Sequence, residues 1–327
     1  MKKFIVCGDS HYKGINPRAW IGDYPKAILR QFREVFSLVA KHQAHGIIIA
    51  GDLFDSPQTM LGTIAELGAL FQEAPCRILT VPGNHDLWGA NVSSKPRTPY
   101  GFLGRLGLTW DLTEQPYEMK GDSGVCITGR SYTVETDTPA GAGQFCPEPR
   151  LDWKGTSIHV VHSMLLLTPP PFEMRHTLVS QVETAANVII SGHDHTGFGV
   201  YRRDDGVLFI NPGALCRLTA KEIDRQVQVA LLTVDGKGNA EAQLIPLESA
   251  QPGHEVLSRE HLESEAERAA RMEEFLGLLA SEGEAKFLEV RDIIEDIAAR
   301  ENLPADVKLD ALRRIGEARE QLALIQA

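Results

Sequence analysis

Two rhythms of apolar and polar positions alternate along the first third of this chain. "KKFIVCG", "HGIIIAGD" and "CRILTVPG" are short apolar runs, as expected of strands buried on both faces. Between them, "YPKAILRQFREVFSLVAKH" sets Ile28, Phe32, Val35, Phe36 and Val39 at helical spacing, and "TMLGTIAELGALFQEA" reads as a second helix. Strand–helix–strand–helix–strand predicts right-handed crossovers and a mostly parallel sheet. Further on, "TSIHVVHSM", "ANVIISGHDH", "GVLFINPG" and "QVQVALLTVD" read as strands with little helix between them, which predicts a second sheet packed on the first. There is no internal repeat and no low-complexity segment.

From about Glu255 the texture changes. "LESEAERAARMEEFLGLLA", "EAKFLEVRDIIEDIAARE" and "PADVKLDALRRIGEAREQLALI" are charged amphipathic helices separated by Gly283 and Pro304. With "ESAQPGHE" as the boundary, the expected organisation is an α/β domain over 1–250 and an acidic helical extension over 251–327.

Charge narrows the function. The net charge is −11, of which residues 251–327, with 10 basic and 18 acidic side chains, carry −8. No bulk basic footprint for nucleic acid exists, so any such contact must be local or assisted by metal ions or a partner. The five cysteines are scattered and never form a CxxC pair, which points to a reducing cytoplasm rather than disulfides or a thiolate metal site. No run approaches the roughly 20 apolar residues of a membrane span. The N-terminal run reaches Asp9 too soon for a signal peptide and reads as the first strand.

The chemistry collects where strands end. "GDSH" carries Asp9 and His11, "GDLFD" Asp52 and Asp55, "GNHD" Asn84, His85 and Asp86, "VVHSM" His162, and "SGHDHTG" His193, Asp194 and His195. Asn and Asp are poor strand formers, and Pro82 and Gly83 end ladder pairing, so "VPGNHD" marks a sheet rim. Any one Asp-x-His pair is ordinary, but five of the 11 histidines fall in these five runs. Parallel strands present their carboxyl ends on one side, so the groups can converge. Two divalent cations about 3.5–4 Å apart need a bridging carboxylate, imidazoles and further oxygens, and such a pair activates water for in-line attack on phosphorus. Asp52, short and alone on its turn, is the natural bridge. Imidazole and carboxylate donors without thiolate suit Mn, Fe or Zn in a working site better than a structural zinc knot.

The ordered set GDSH, GDLFD, GNHD, VHSM and GHDH resembles the calcineurin-like metallophosphoesterase superfamily over residues 1 to about 215. The resemblance implies an α/β sandwich of two mixed sheets flanked by helices, with two metals at the strand ends. It implies that Asp9, His11, Asp52 and His195 hold one metal, and that Asp52, Asn84, His162 and His193 hold the other. His85 would stay free to donate a proton to the leaving oxygen or to bind the phosphate. Asp55 matches the position that orients that histidine in many members; as a plain residue it would cap a helix from Pro57 on. Asp86 is expected to brace its turn, and Asp194 to point away.

"GDLFD", "VPGNHD" and "INPGALCRL" look like SbcD-type DNA nucleases, which cut DNA with manganese beside an SMC-like ATPase. Two departures are visible. Strand-like text stops near Leu247, so the expected DNA-capping domain is missing or reduced, and some relatives carry His where this chain has Asp55. The implied function is hydrolysis of DNA phosphodiesters by a two-metal-activated hydroxide, with Mn2+ the expected ion and Fe or Zn as alternatives. An SbcC-like ATPase could dock on the C-terminal helices through Leu276, Leu279, Ile293, Ile294 and Ile297, or those helices could fold back on their own domain. Homodimerisation through the helices near residues 60–110 follows by family analogy alone. The rival readings are a phosphodiesterase or phosphatase of nucleotides or other small phosphoesters, and a non-catalytic assembly subunit.

Candidate substrate contacts are Lys95, Arg97 and Arg105, in a Gly- and Pro-rich region after the His85 turn, and His176 with Arg175 beyond "TPPPFEMRH". The alternative for the cations is solvated loop charge. Trp88 could stack a base or pack beneath its loop. His159, alternating with Val160 on a strand, is expected to be a satisfied core histidine.

Overall fold

The computed structural model describes residues 1–121, 124–147, 155–235 and 237–258, together with Pro304 and Val307. The expected helical extension therefore lies outside the described residues, except for residues 251–258, Pro304 and Val307. So do the apolar anchors Leu276, Leu279, Ile293, Ile294 and Ile297.

In chain order the first sheet begins with β1 (Lys2–Cys7), β2 (Gly46–Ile49), β3 (Arg77–Thr80) and β4 (Trp110–Asp111). These four pair in parallel. The helices α1 (Tyr24–His42) and α2 (Leu61–Gln72) make the first two crossovers, and the short α3 (Pro99–Arg105) lies in the third. The second sheet takes β5 (Tyr117–Met119), β6 (Val125–Gly129), β7 (Thr156–Ser163), β10 (Val188–His193), β11 (Gly199–Arg202) and β12 (Leu208–Asn211). A small ribbon, β8 (Leu165–Leu166) with β9 (Thr177–Leu178), sits between β7 and β10 in the chain. Then β13 (Gln228–Val234) and β14 (Ala240–Pro246) return to the first sheet, whose order becomes β14-β13-β1-β2-β3-β4.

Both sheets share one plan. Their centres are parallel, and antiparallel strands close one edge of the first sheet, with β13 and β14, and both edges of the second, with β5 and β11, while the parallel β4 forms the first sheet's other edge. The architecture is thus two mixed sheets flanked by helices.

Local chemistry explains the elements. Asp23 caps α1 by accepting the Lys26 N–H, Pro25 occupies its first turn, and Gln43 ends it in the left-handed conformation. Its buried stripe of Ile28, Phe32, Val35 and Val39 follows the helical period. Phe32 meets Phe71 of α2 edge-on, with ring centroids 5.3 Å apart. Phe4, Val6, Ile48 and Leu79 from the first sheet interdigitate with Val125, Ile127, Ile158, Val160, Ile190 and Ile210 from the second. At roughly 1.5–3 kcal/mol for each fully buried aliphatic chain, this inter-sheet layer is the main cohesive element. Strand β7 shows the alternation: Ile158 and Val160 face the other sheet, while Val161 joins Phe145, Ile189 and Phe209 on the opposite face. There short 3-10 turns at Pro139–Phe145 and Val179–Gln181 stand where the first sheet has α-helices.

Candidate metal centre

The carboxyl ends of β1, β2, β3, β7 and β10 open on one rim, and the five motif turns follow them directly. The chain must turn sharply there. His11, Asp52 and His193 adopt positive φ of 41°, 44° and 75°, a region in which His and Asp are tolerated better than most residues. Strain of this kind concentrates at sites that the surrounding fold over-determines. Two glycines are required by close approach: a Cβ on Gly83 would collide with the Asp52 carboxylate, and one on Gly192 with Ala50 O and Asp9 Oδ1.

The side chains converge in two groups. In the first, His11 Nε2 lies 3.0 Å from His195 Nε2 and 3.5 Å from Asp52 Oδ2. Asp9 Oδ2 lies 3.5 Å from His195 Nε2 and 3.9 Å from His11 Nε2. In the second, His162 Nε2 is 3.0 Å from Asn84 Oδ1 and 3.1 Å from Asp52 Oδ2, and His193 has a ring nitrogen within 4.8 Å of Asp52 and His162 donors. Donors each about 2.1 Å from a common ion stand about 3–3.5 Å from one another, so both groups have the spacing of a coordination shell. A single oxygen, Asp52 Oδ2, faces both groups.

Main-chain donors fix the carboxylates. Asp52 Oδ1 receives the His85 N–H at 2.7 Å, and both oxygens of Asp9 receive the His193 N–H at 3.1 Å. Burial works against charge on Asp52 and Asp9, but the imidazoles around them outweigh it and hold both carboxyls below their usual range. The converse holds for His162: burial disfavours its cation, yet Asp52 and Asp9 raise it to about 9. His195 behaves alike, raised to about 10 by Asp9 and Glu222 against burial. His193, buried and next to His162, falls to about 4. The protein thus balances two buried carboxylates with protons, which divalent cations would displace.

Around this centre sit groups that belong to neither donor set. Tyr132, on the loop after β6, lays its ring 5.5 Å from His193 and 6.0 Å from His162. Buried Asp86 accepts from Leu53, Phe54 and Gly83 N–H and so ties the β2 turn to the β3 turn. Asp194 turns away to accept the Thr196 N–H.

Several expected placements need correction. Asp55 does not orient His85 through its side chain. Its carboxylate faces His11 Nδ1 at 3.4 Å and Lys13 Nζ at 2.9 Å, and these carry it down to about 2 despite burial. His85 Nδ1 is instead 2.8 Å from the Asp55 main-chain oxygen. Nor does Asp55 cap a helix, because α2 starts at Leu61. Lys95 is not a solvated loop charge: it is buried in ion pairs with Asp111 and Glu114, because an ammonium below the surface must find carboxylates. Arg97 stands beside Pro57, Leu61 and Phe102, not in the ligand cluster. His176 turns Nδ1 to Met174 O, within its own loop. Trp88 is 43% exposed rather than packed beneath its loop. His159, by contrast, is the satisfied core histidine expected: Thr128 and Gln144 O engage its two ring nitrogens, and burial lowers it to about 4.

The pattern of the calcineurin-like phosphoesterase superfamily domain matches residues 2–237. The chain belongs to this superfamily. It is therefore a metal-dependent hydrolase of phosphoester bonds, and its donor set fits two divalent ions. Among solved structures the chain is similar to a dimetal phosphatase from Danio rerio, at 11% identity and a TM-score of 0.43, covering 74% of this chain and 98% of that one. It is also similar to a candidate 5′-nucleotidase from Staphylococcus aureus in complex with α-ketoglutarate, at 17% identity and a TM-score of 0.41, covering 75% and 54%. No curated protein matches the chain. Among the described residues, no helix is long and apolar enough to cross a membrane.

Proposed function

We propose that the protein is a DNA nuclease of SbcD type that hydrolyses phosphodiester bonds with two divalent ions, manganese by preference. One observation carries the subfamily reading. The "INPGALCRL" segment that resembles those nucleases folds directly under the first ligand turn, where Leu215 N donates to Asp9 O at 2.8 Å. Asp9, His11, Asp52 and His195 would hold one ion, and Asp52, Asn84, His162 and His193 the other. When bound, the ions supply the charge that makes water nucleophilic at neutral pH and that neutralises the phosphoryl oxygens.

The chain's own residues do the rest. Asp52 keeps Oδ1 on the His85 N–H, so Oδ2 stays available between the two groups. Ala50 O lies 2.8 Å from His162 Nδ1 and accepts a hydrogen bond from its N–H, which leaves Nε2 to face Asn84 and Asp52. Asp55 O likewise accepts the His85 Nδ1–H, which turns Nε2 outward, and in the doubly protonated ring Nε2 is the atom that would pass its proton to the leaving oxygen.

A second reading, hydrolysis of small phosphoesters or nucleotides, is favoured by the withdrawal of Lys95 into its ion pairs, which removes one backbone contact from a surface with no basic excess. Purified protein and an Asp52→Ala control, both in manganese, separate the two. Loss of linear double-stranded or single-stranded DNA that vanishes in the control supports the nuclease. Cleavage of bis-p-nitrophenyl phosphate with both DNAs intact moves the assignment to a small-molecule phosphodiesterase. The proposed SMC-like ATPase partner is tested by co-purification, which truncation after Ala250 should abolish.

A further inference from the structure

We infer that Glu222 is a positioning residue for His195: it accepts from the Nδ1–H and so leaves Nε2 as the ligand atom facing the first ion. The inference rests on the two-ion reading of the centre. Glu222 ends a short turn, Ala220–Glu222, that follows the loop after β12. Its Oε2 is fully used, accepting Leu218 N at 2.7 Å, Thr219 N at 2.8 Å and Thr219 Oγ1 at 3.2 Å. These three donors lock the carboxylate and set Oε1 between His195 and the Arg225 guanidinium. Oε1 is buried with no hydrogen-bond partner of its own and stands 3.5 Å from His195 Nδ1.

Capping of the turn explains Oε2 alone. A carboxylate with no further task would direct its other oxygen to water, and this one does not. Arg225 flanks it at 3.6 Å and is itself held by the carbonyls of Ala214 and Cys216, so carboxylate and guanidinium are both fixed to the loop beneath Asp9. Across the imidazole, His195 Nε2 faces Asp9 and His11. A neutral imidazole has one proton, and the acceptor on one nitrogen decides which atom is free to ligate. A neighbouring ring obeys the same rule, since His162 Nδ1 faces Ala50 O at 2.8 Å, and His11 Nδ1 has the Asp55 carboxylate 3.4 Å away. Glu222 plays that part for His195.

The test is calorimetric titration of the metal-free protein with Mn2+, so the readout is ion binding rather than turnover. Wild type should bind two ions. Glu222→Ala should keep one affinity and weaken the other by about 10–100-fold, and Glu222→Gln, which retains an acceptor oxygen, should fall between. Glu222→Ala should add nothing in a His195→Ala background, because its effect passes through that ring. Two wild-type affinities in Glu222→Ala overturn the assignment, as do equal losses in both backgrounds, which would mean that Glu222 serves only the loop. Wild type that binds no Mn2+ overturns the two-ion reading itself. If Glu222→Ala fails to fold, Glu222→Gln carries the same comparison.

Discussion

Asp86 offers a sharp test of how the centre is held, because it is outside both donor groups. Its carboxylate is 1% exposed and accepts three main-chain N–H groups: Phe54 at 3.0 Å on Oδ1, with Leu53 at 3.2 Å and Gly83 at 3.0 Å on Oδ2. Alanine would strand three donors below the surface, and each costs about 1–3 kcal/mol when unsatisfied. Water entering the space left by the side chain recovers part of this, so Asp86→Ala should lose about 3–5 kcal/mol, a large share of the 5–15 kcal/mol typical of a domain. Asp86→Asn keeps one carbonyl oxygen for two of the donors and sets an NH2 against the third, so about 1–2 kcal/mol should go. The assay is urea unfolding of metal-free protein, with the slope checked for constancy before midpoints are compared. Alanine within 0.5 kcal/mol of wild type, or asparagine as damaging as alanine, would refute the view that Asp86 staples the β2 turn to the β3 turn.

Three further outcomes follow from the geometry. Gly83→Ala puts a methyl against the Asp52 carboxylate and should remove at least one tightly bound Mn2+ by calorimetry while far-UV dichroism stays native. His85→Ala should keep both ions and slow turnover by about 10²–10⁴-fold; a normal rate would end its role as proton donor. His159, lowered to about 4 by burial, titrates near 6.5 when unfolded, so the unfolded chain binds the extra proton between those values. Its share of stability is complete above pH 6.5 and is lost as pH falls, reaching about 3 kcal/mol by pH 4. Denaturation midpoints for wild type and His159→Gln should therefore converge on acidification.

Much of this was legible in the chain because the signals were local. The apolar runs at β1, β2, β3, β7, β10 and β12 are continuous, and each hands over to polar residues within a few positions of its end. Rim chemistry could be placed once the strands were. Orientation was not legible. Asp55 lies three residues past Asp52, but whether its carboxylate meets His85 or His11 depends on how two turns from different strands settle together. Lys95 looked like loop charge, and only the fold brings Asp111 and Glu114 to it. Glu222 carries a Thr-x-x-Glu signature that announces a turn and says nothing of a histidine on another strand. Strand β6 was missed because five residues beside polar text carry little periodicity, and its place follows from pairing with β7.

The placement of β1 has a consequence for biogenesis. It is an inner strand whose neighbours are β2, nearby in the chain, and β13, which runs Gln228–Val234. The turn after β1, with Asp9 and His11, is also clasped by Leu215. A chain leaving the ribosome therefore carries its first ligands early but has nothing to close around them until some 230 residues have emerged. Domains complete themselves as units during synthesis, so capture of the first ion waits for β13, and polypeptides cut short before β13 would lack the walls of that ion's pocket.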